Sequence, residues 1–79
     1  MKFRIDVSLK PGVLDVQGKA VEGALHGLGF SDAQNVRIGR FVTLEVAGDD
    51  PTHAEAQVKD MCEKLLANPV IESYQITPL

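Results

Sequence analysis

The 79-residue sequence has no tryptophan, one tyrosine, three phenylalanines and one cysteine. A single thiol excludes any disulfide framework within the chain, and a reducing, cytoplasmic setting follows naturally from that scarcity. Long apolar runs are also missing. None approaches the roughly 20 residues that a membrane span requires. The opening "MKFRIDVSLKPG" alternates polar and apolar, so it reads as a strand and not as a signal peptide. Basic stripes interleaved with aromatics are absent, which argues against a nucleic-acid partner. Two histidines and one cysteine at these spacings match no zinc pattern. The expected partners therefore include neither nucleic acid nor membrane.

What is present suits a small globular unit. Hydrophobic residues make up 44%, which argues against disorder. The length allows one domain, residues 1–79. A chain this short buries only about 60% of its unfolded surface, so its own core is thin and association helps it. The net charge of −3 is unevenly spread. Residues 1–40 hold six basic and four acidic side chains, and residues 41–79 hold two and seven.

The periodicities predict two strand–helix–strand units. Residues 2–9 form a strand with Phe3, Ile5, Val7 and Leu9 on one side and Lys2, Arg4, Asp6 and Ser8 on the other. Pro11-Gly12 ends it. A helix follows over 16–28, capped by Asp15, with Ala20, Val21, Ala24, Leu25 and Leu28 on its apolar face. Gly29 suits the left-handed position past its end, with Phe30 folding back on Leu25. A second helix begins after Asp50 with Pro51 in its first turn. It buries Ala54, Val58, Met61, Cys62, Leu65 and Leu66 and stops at Asn68-Pro69. A last strand spans 70–77, with Ile71, Tyr74 and Ile76 as its apolar residues.

The stretch "NVRIGRFVTLEV", residues 35–46, reads as two strands joined by a two-residue turn at Gly39-Arg40. That register places Val42, Leu44 and Val46 on one side with Arg37, and Val36, Ile38, Phe41, Thr43 and Glu45 on the other. The order becomes βαββαβ, an α+β ferredoxin-like sandwich of a four-stranded antiparallel sheet with both helices on one face. Val36, Ile38, Phe41 and Thr43 then lie on the bare face, as part of an oligomer interface. The competing reading is a β-bulge near Gly39 that turns all the apolar residues inward.

No catalytic constellation emerges. "GVLDVQGKA" has glycines one residue too far apart for a phosphate loop, and Ala20 stands where a magnesium-binding hydroxyl belongs. Cys62 lies on the apolar face of its helix, as an inert core thiol. His53 sits at the start of that helix and cannot serve it as a base. His26 belongs to a solvated face. Catalytic, cofactor-binding and metal-binding residues are expected to be absent.

Three blocks, "LKPGVLDVQGKAV" (residues 9–21), "VRIGRF" (36–41) and "CEKLLANPVIESYQI" (62–76), resemble the PurS family, the small subunit of phosphoribosylformylglycinamidine synthase. The likeness spans nearly the whole chain, as a single PurS-like domain. It implies a free-standing, non-catalytic subunit of de novo purine synthesis that forms dimers or tetramers. It also implies two partner chains, a glutaminase that releases ammonia and a synthetase that activates the substrate amide. ATP with magnesium, and glutamine, would be used by those partners, with no cofactor in this chain. Carried over by position, Lys10, Pro11, Gly12, Leu14, Asp15, Arg37, Arg40, Asn68 and Pro69 are the expected partner-subunit contacts. Turn and cap chemistry explains Gly12, Asp15, Gly39, Asn68 and Pro69 without any partner, whereas Lys10, Arg37 and Arg40 are expected to have no structural duty. Two positions depart from the family pattern: Val16, where proline is common, and Gly23, where a longer charged residue is usual. The competing function is a regulatory, ligand-binding module of ACT-like type that pairs and holds a metabolite between subunits.

Overall fold

Alternating side chains build the first strand, β1 (Lys2–Leu9), in which Phe3, Ile5 and Val7 are buried. The computed structural model describes residues 1–79. Helix α1 (Val16–Gly27) begins at Asp15, whose carboxylate accepts the Gly18 N–H. It ends with Phe30 N–H donating to Leu25 O at 2.9 Å and Gly29 N–H to His26 O at 3.0 Å, with Gly29 at φ +97°. This is the paired closing pattern that needs a left-handed glycine. Strand β2 (Arg40–Glu45) follows. Helix α2 (Pro51–Met61) starts with Asp50 accepting from Thr52 and His53 N–H, with Pro51 in its first turn. A wider π-helical turn, Cys62–Leu66, continues it, and β3 (Glu72–Pro78) closes the chain.

The sheet has three antiparallel strands in the order β2-β1-β3. Ile5 sits between Val42 and Ile76, and Val7 between Arg40 and Tyr74. Paired residues share a face, so Phe3, Ile5, Val7, Val42, Leu44, Tyr74 and Ile76 all point toward α2. They meet Ala54, Val58 and Cys62 there, and Val46 and Ala67 complete the core. The opposite face carries Arg4, Asp6, Phe41, Thr43 and Glu45, as the alternation required. It is polar apart from Phe41, over whose ring the Arg4 guanidinium lies at 4.1 Å.

Three expectations need correction. The four-stranded ferredoxin-like sheet does not form, because residues 36–39 are not a strand and do not pair with β2. Asn35 takes a left-handed φ of 55° and redirects the chain, and Gly39 takes no positive φ. Gly39 instead passes so close to β1 that an added Cβ would stand 2.7 Å from Val7 O. Neither the tight turn nor the bulge occurs, so Val36 and Ile38 are half-buried in a connecting segment, off both sheet faces. The second correction concerns α1, which contributes nothing to the core. Ala20, Val21, Ala24 and Leu28 are all exposed, Leu28 by 74%. The third concerns α2 and the π-helical turn that continues it, where Met61 and Leu65 face outward, Leu65 by 83%.

Candidate functional site

The residues carried over from the three sequence blocks converge at one end of the sheet. The Lys10 ammonium donates to Pro69 O at 2.8 Å, tying the first block to the third. The Arg37 guanidinium donates to Val13 O at 2.9 Å and Lys10 O at 3.2 Å, tying the second block to the first. Arg40 donates from both terminal nitrogens to Glu72, at 2.6 and 3.1 Å, and from one of them to Leu66 O at 2.7 Å. Glu72 also accepts the Asn68 N–H at 2.7 Å, while the Asn68 side chain accepts from Val70 N–H at 3.1 Å. An open cleft of about 370 Å³ lies among these elements, with Leu14, Asp15, Ile38, Arg40 and Glu72 in its lining.

The three basic residues therefore do have structural duties, contrary to expectation. Their side chains bond carbonyls of the turns and of the last π-helical residue, Lys10 O accepting the Val13 N–H as well. Pro11 and Gly12 form an exposed turn with Gly12 at φ +87°, and Leu14 stands out into solvent. Asp15 alone of the group is buried. Of the expected oligomer patch, Phe41 and Thr43 are exposed on the bare sheet face, and Val36 and Ile38 lie elsewhere.

Two carboxylates that sequence reasoning passed over, Glu22 and Glu72, hold the arrangement together. Glu22 accepts the Val36 N–H from 14 residues away, whereas Glu72 accepts the nearby Asn68 N–H and takes its distant donor from the Arg40 side chain; no local motif marks either long-range contact. The Asp15 carboxyl is held below its usual range, first by the Ile38 N–H and then by the Gly18 N–H. The Glu22 carboxyl is lowered chiefly by the Val36 N–H. Arg40 lowers the Glu72 carboxyl, helped by the Asn68 N–H. Hydrogen bonds to the charged form favour ionisation in each case.

Cys62 is fully buried, and burial pushes its thiol up, away from the nucleophilic thiolate. The His26 ring hydrogen-bonds Ala33 O at 2.7 Å, and His53 is exposed on α2. No cluster of three or more His, Cys, Asp or Glu side chains is arranged to hold a metal ion. No helix is long and apolar enough to cross a membrane.

The chain is similar to proteins of one known family. Residues 2–78 match the PurS family model, described as phosphoribosylformylglycinamidine (FGAM) synthase. The chain is 49% identical over 74 residues to the PurS subunit of Bacillus subtilis, covering 94% of this chain and 87% of that one. It is 36% identical over 75 residues to the PurS subunit of Methanocaldococcus jannaschii, covering 95% and 90%. The Bacillus subtilis PurS crystal structure superimposes with a TM-score of 0.87 at 47% identity, over 96% of this chain and 94% of that one. A chain of the PurLQS structure from Thermotoga maritima superimposes with a TM-score of 0.90 at 36% identity, over 99% and 95%. This chain belongs to the PurS family, the small subunits of phosphoribosylformylglycinamidine synthase.

Proposed function

We propose that this chain is the non-catalytic assembly subunit of phosphoribosylformylglycinamidine synthase, working in the cytoplasm. It joins a glutaminase chain to a synthetase chain, and those partners use glutamine and ATP with magnesium. The observation that carries this reading is the near-complete likeness to a chain of the PurLQS structure. The missing nucleophile–base pair supports it. The end of the sheet that gathers Lys10, Pro11, Gly12, Leu14, Arg37, Arg40, Asn68 and Pro69 is the surface for the partner chains. Exposed Leu14 and Val70 flank its charged groups there, which is the mixture of apolar anchor and polar rim that interfaces use.

The subunit also binds a second copy of itself. Its radius of gyration is 16.0 Å, whereas a compact chain of this length would have about 12 Å. The excess reflects an elongated body of 50 × 24 × 14 Å, in which α1 covers no core. Ala20, Val21, Ala24 and Leu28 leave an apolar helix face in water. A helix of this kind gains its stability from burying that face.

The test is reconstitution. The isolated chain gives no turnover, and a mixture of glutaminase and synthetase chains gains glutamine-dependent activity only when it is added. Full glutamine-dependent activity without it would sink the reading.

A further inference from the structure

Residues 36–38 are held at three consecutive positions by three different side-chain contacts. The Val36 N–H donates to Glu22 Oε1 at 3.1 Å. The Arg37 side chain reaches the carbonyls of Val13 and Lys10. The Ile38 N–H donates to Asp15 Oδ2 at 2.7 Å. In an extended segment the N–H groups of alternate residues point the same way. Both therefore face α1 and its cap, where Glu22 and Asp15 receive them.

The two pieces touch as well as bond. Gly18 is buried, and a Cβ there would meet Val36 O at 2.2 Å. Only a glycine lets the helix backbone come so near. One carboxylate, Asp15, serves both sides of this junction. Its Oδ1 caps α1 through Gly18 N–H at 2.8 Å, and its Oδ2 holds Ile38. Residues 36–38 run directly into β2, so whatever holds them to α1 also holds α1 to the sheet. Packing does not do this, because no α1 residue lies in the core.

We propose that Asp15, Glu22 and Arg37, closing on Gly18, form a clasp that fixes the direction in which α1 projects from the sheet. The clasp presents the helix's apolar face to a second copy of the chain at a set angle. Its consequence for assembly rests on the reading that α1 is the self-association surface. The clasp itself stands on the contacts alone. These three are positioning residues, and the contact with the second copy belongs to Ala20, Val21, Ala24 and Leu28.

The test uses the full chain carrying Asp15→Asn together with Glu22→Ala. Asparagine remains a good helix cap, and alanine is a good helix former, so α1 itself persists. Asp15 uses a different oxygen for Gly18 and for Ile38; in asparagine one of those two positions becomes an NH2 donor, which faces an N–H instead of accepting from it. A second variant, Gly18→Ala, parts the same junction by steric contact, since the added Cβ would meet both Val36 O and the Asp15 carboxylate, and it keeps the charge of both carboxylates. Two quantities are read: amide hydrogen exchange at Val36 and Ile38, and the dimer dissociation constant by sedimentation. In both variants, exchange at Val36 and Ile38 should speed up by about tenfold or more, with β1 amides still protected. The dimer should weaken by about tenfold, the scale of one lost charge-assisted hydrogen bond. Unchanged protection at Val36 and Ile38 in both variants would overturn the clasp. Lost protection with an unchanged dimer would overturn its role in presenting α1. A wild-type chain that sediments as a monomer at every concentration would end the self-association reading and the presenting role with it, while exchange still decides the clasp.

Discussion

Arg40 and Glu72 sit on opposite edge strands and meet across β1, with the guanidinium nitrogens at 2.6 and 3.1 Å from the two carboxylate oxygens. Paired donors matched to paired acceptors make this geometry specific. The Glu72 side chain is only 12% exposed, and the same carboxylate accepts the Asn68 N–H. Glu72→Gln should lower the stability of the fold by about 1 kcal/mol, a modest figure because Arg40 remains half in water. Urea unfolding at neutral pH measures it, and an unchanged midpoint would contradict it.

Acid should act through the same group of carboxylates. Asp15, Glu22 and Glu72 all have their carboxyls lowered in the folded chain by donors that they lose on unfolding. A lowered folded value contributes stability that is complete above the unfolded carboxylate range, about pH 3.9–4.3. That stability disappears as pH falls from there through the folded values. Wild type should thus lose stability steeply below about pH 4, and Glu72→Gln less steeply. Parallel acid-unfolding curves would refute the assignment for Glu72.

Tyr74 is the chain's one tyrosine, so its titration can be read directly from tyrosinate absorbance. Its hydroxyl donates to Glu63 Oε1 at 2.8 Å, and its pKa is pushed up to about 12, mainly by that bond. Glu63→Gln should bring it down toward the ordinary value of about 10. Because the folded value is raised, this contact supports the fold fully below about pH 10 and fades as pH rises through the folded value. A wild-type tyrosine titrating near 10 would contradict the contact.

Cys62 is buried among Ala54, Val58 and the sheet, with its thiol pushed up by burial. A thiol reagent should modify it only at the rate at which the chain opens. Prompt reaction in native buffer would show that this part of the core is not closed.

Leu28 and Gly23 probe the exposed helix face. Leu28→Asp should dissociate the self-associated form and leave each chain folded, with an unfolding midpoint that no longer depends on protein concentration, since Leu28 is 74% exposed and lies outside the core. Gly23→Ala should stabilise α1 by about 0.5–1 kcal/mol, because an added Cβ meets nothing within 4 Å. Sedimentation and thermal unfolding of the two variants check these outcomes. A Leu28→Asp chain that stays associated would move the self-association surface elsewhere.

The Asp15 cap, the start of the second helix after Asp50, the closing glycine, the alternation and the family were all legible in the residues. Asp15 had to cap, because a carboxylate before a helix finds free N–H groups within three residues. Gly29 had to take a left-handed φ, and β1 had to divide into two faces. Residues 36–38 were different. Their β-branched, alternating pattern carries strand propensity, but their N–H groups went to Asp15 and Glu22, and only the folded chain brings those within reach. Helix α1 made the same point in another way: an amphipathic pattern shows that a face must be covered without naming the cover. Acceptors distant in sequence, and surface left over once one small core has closed, are decided by tertiary structure alone.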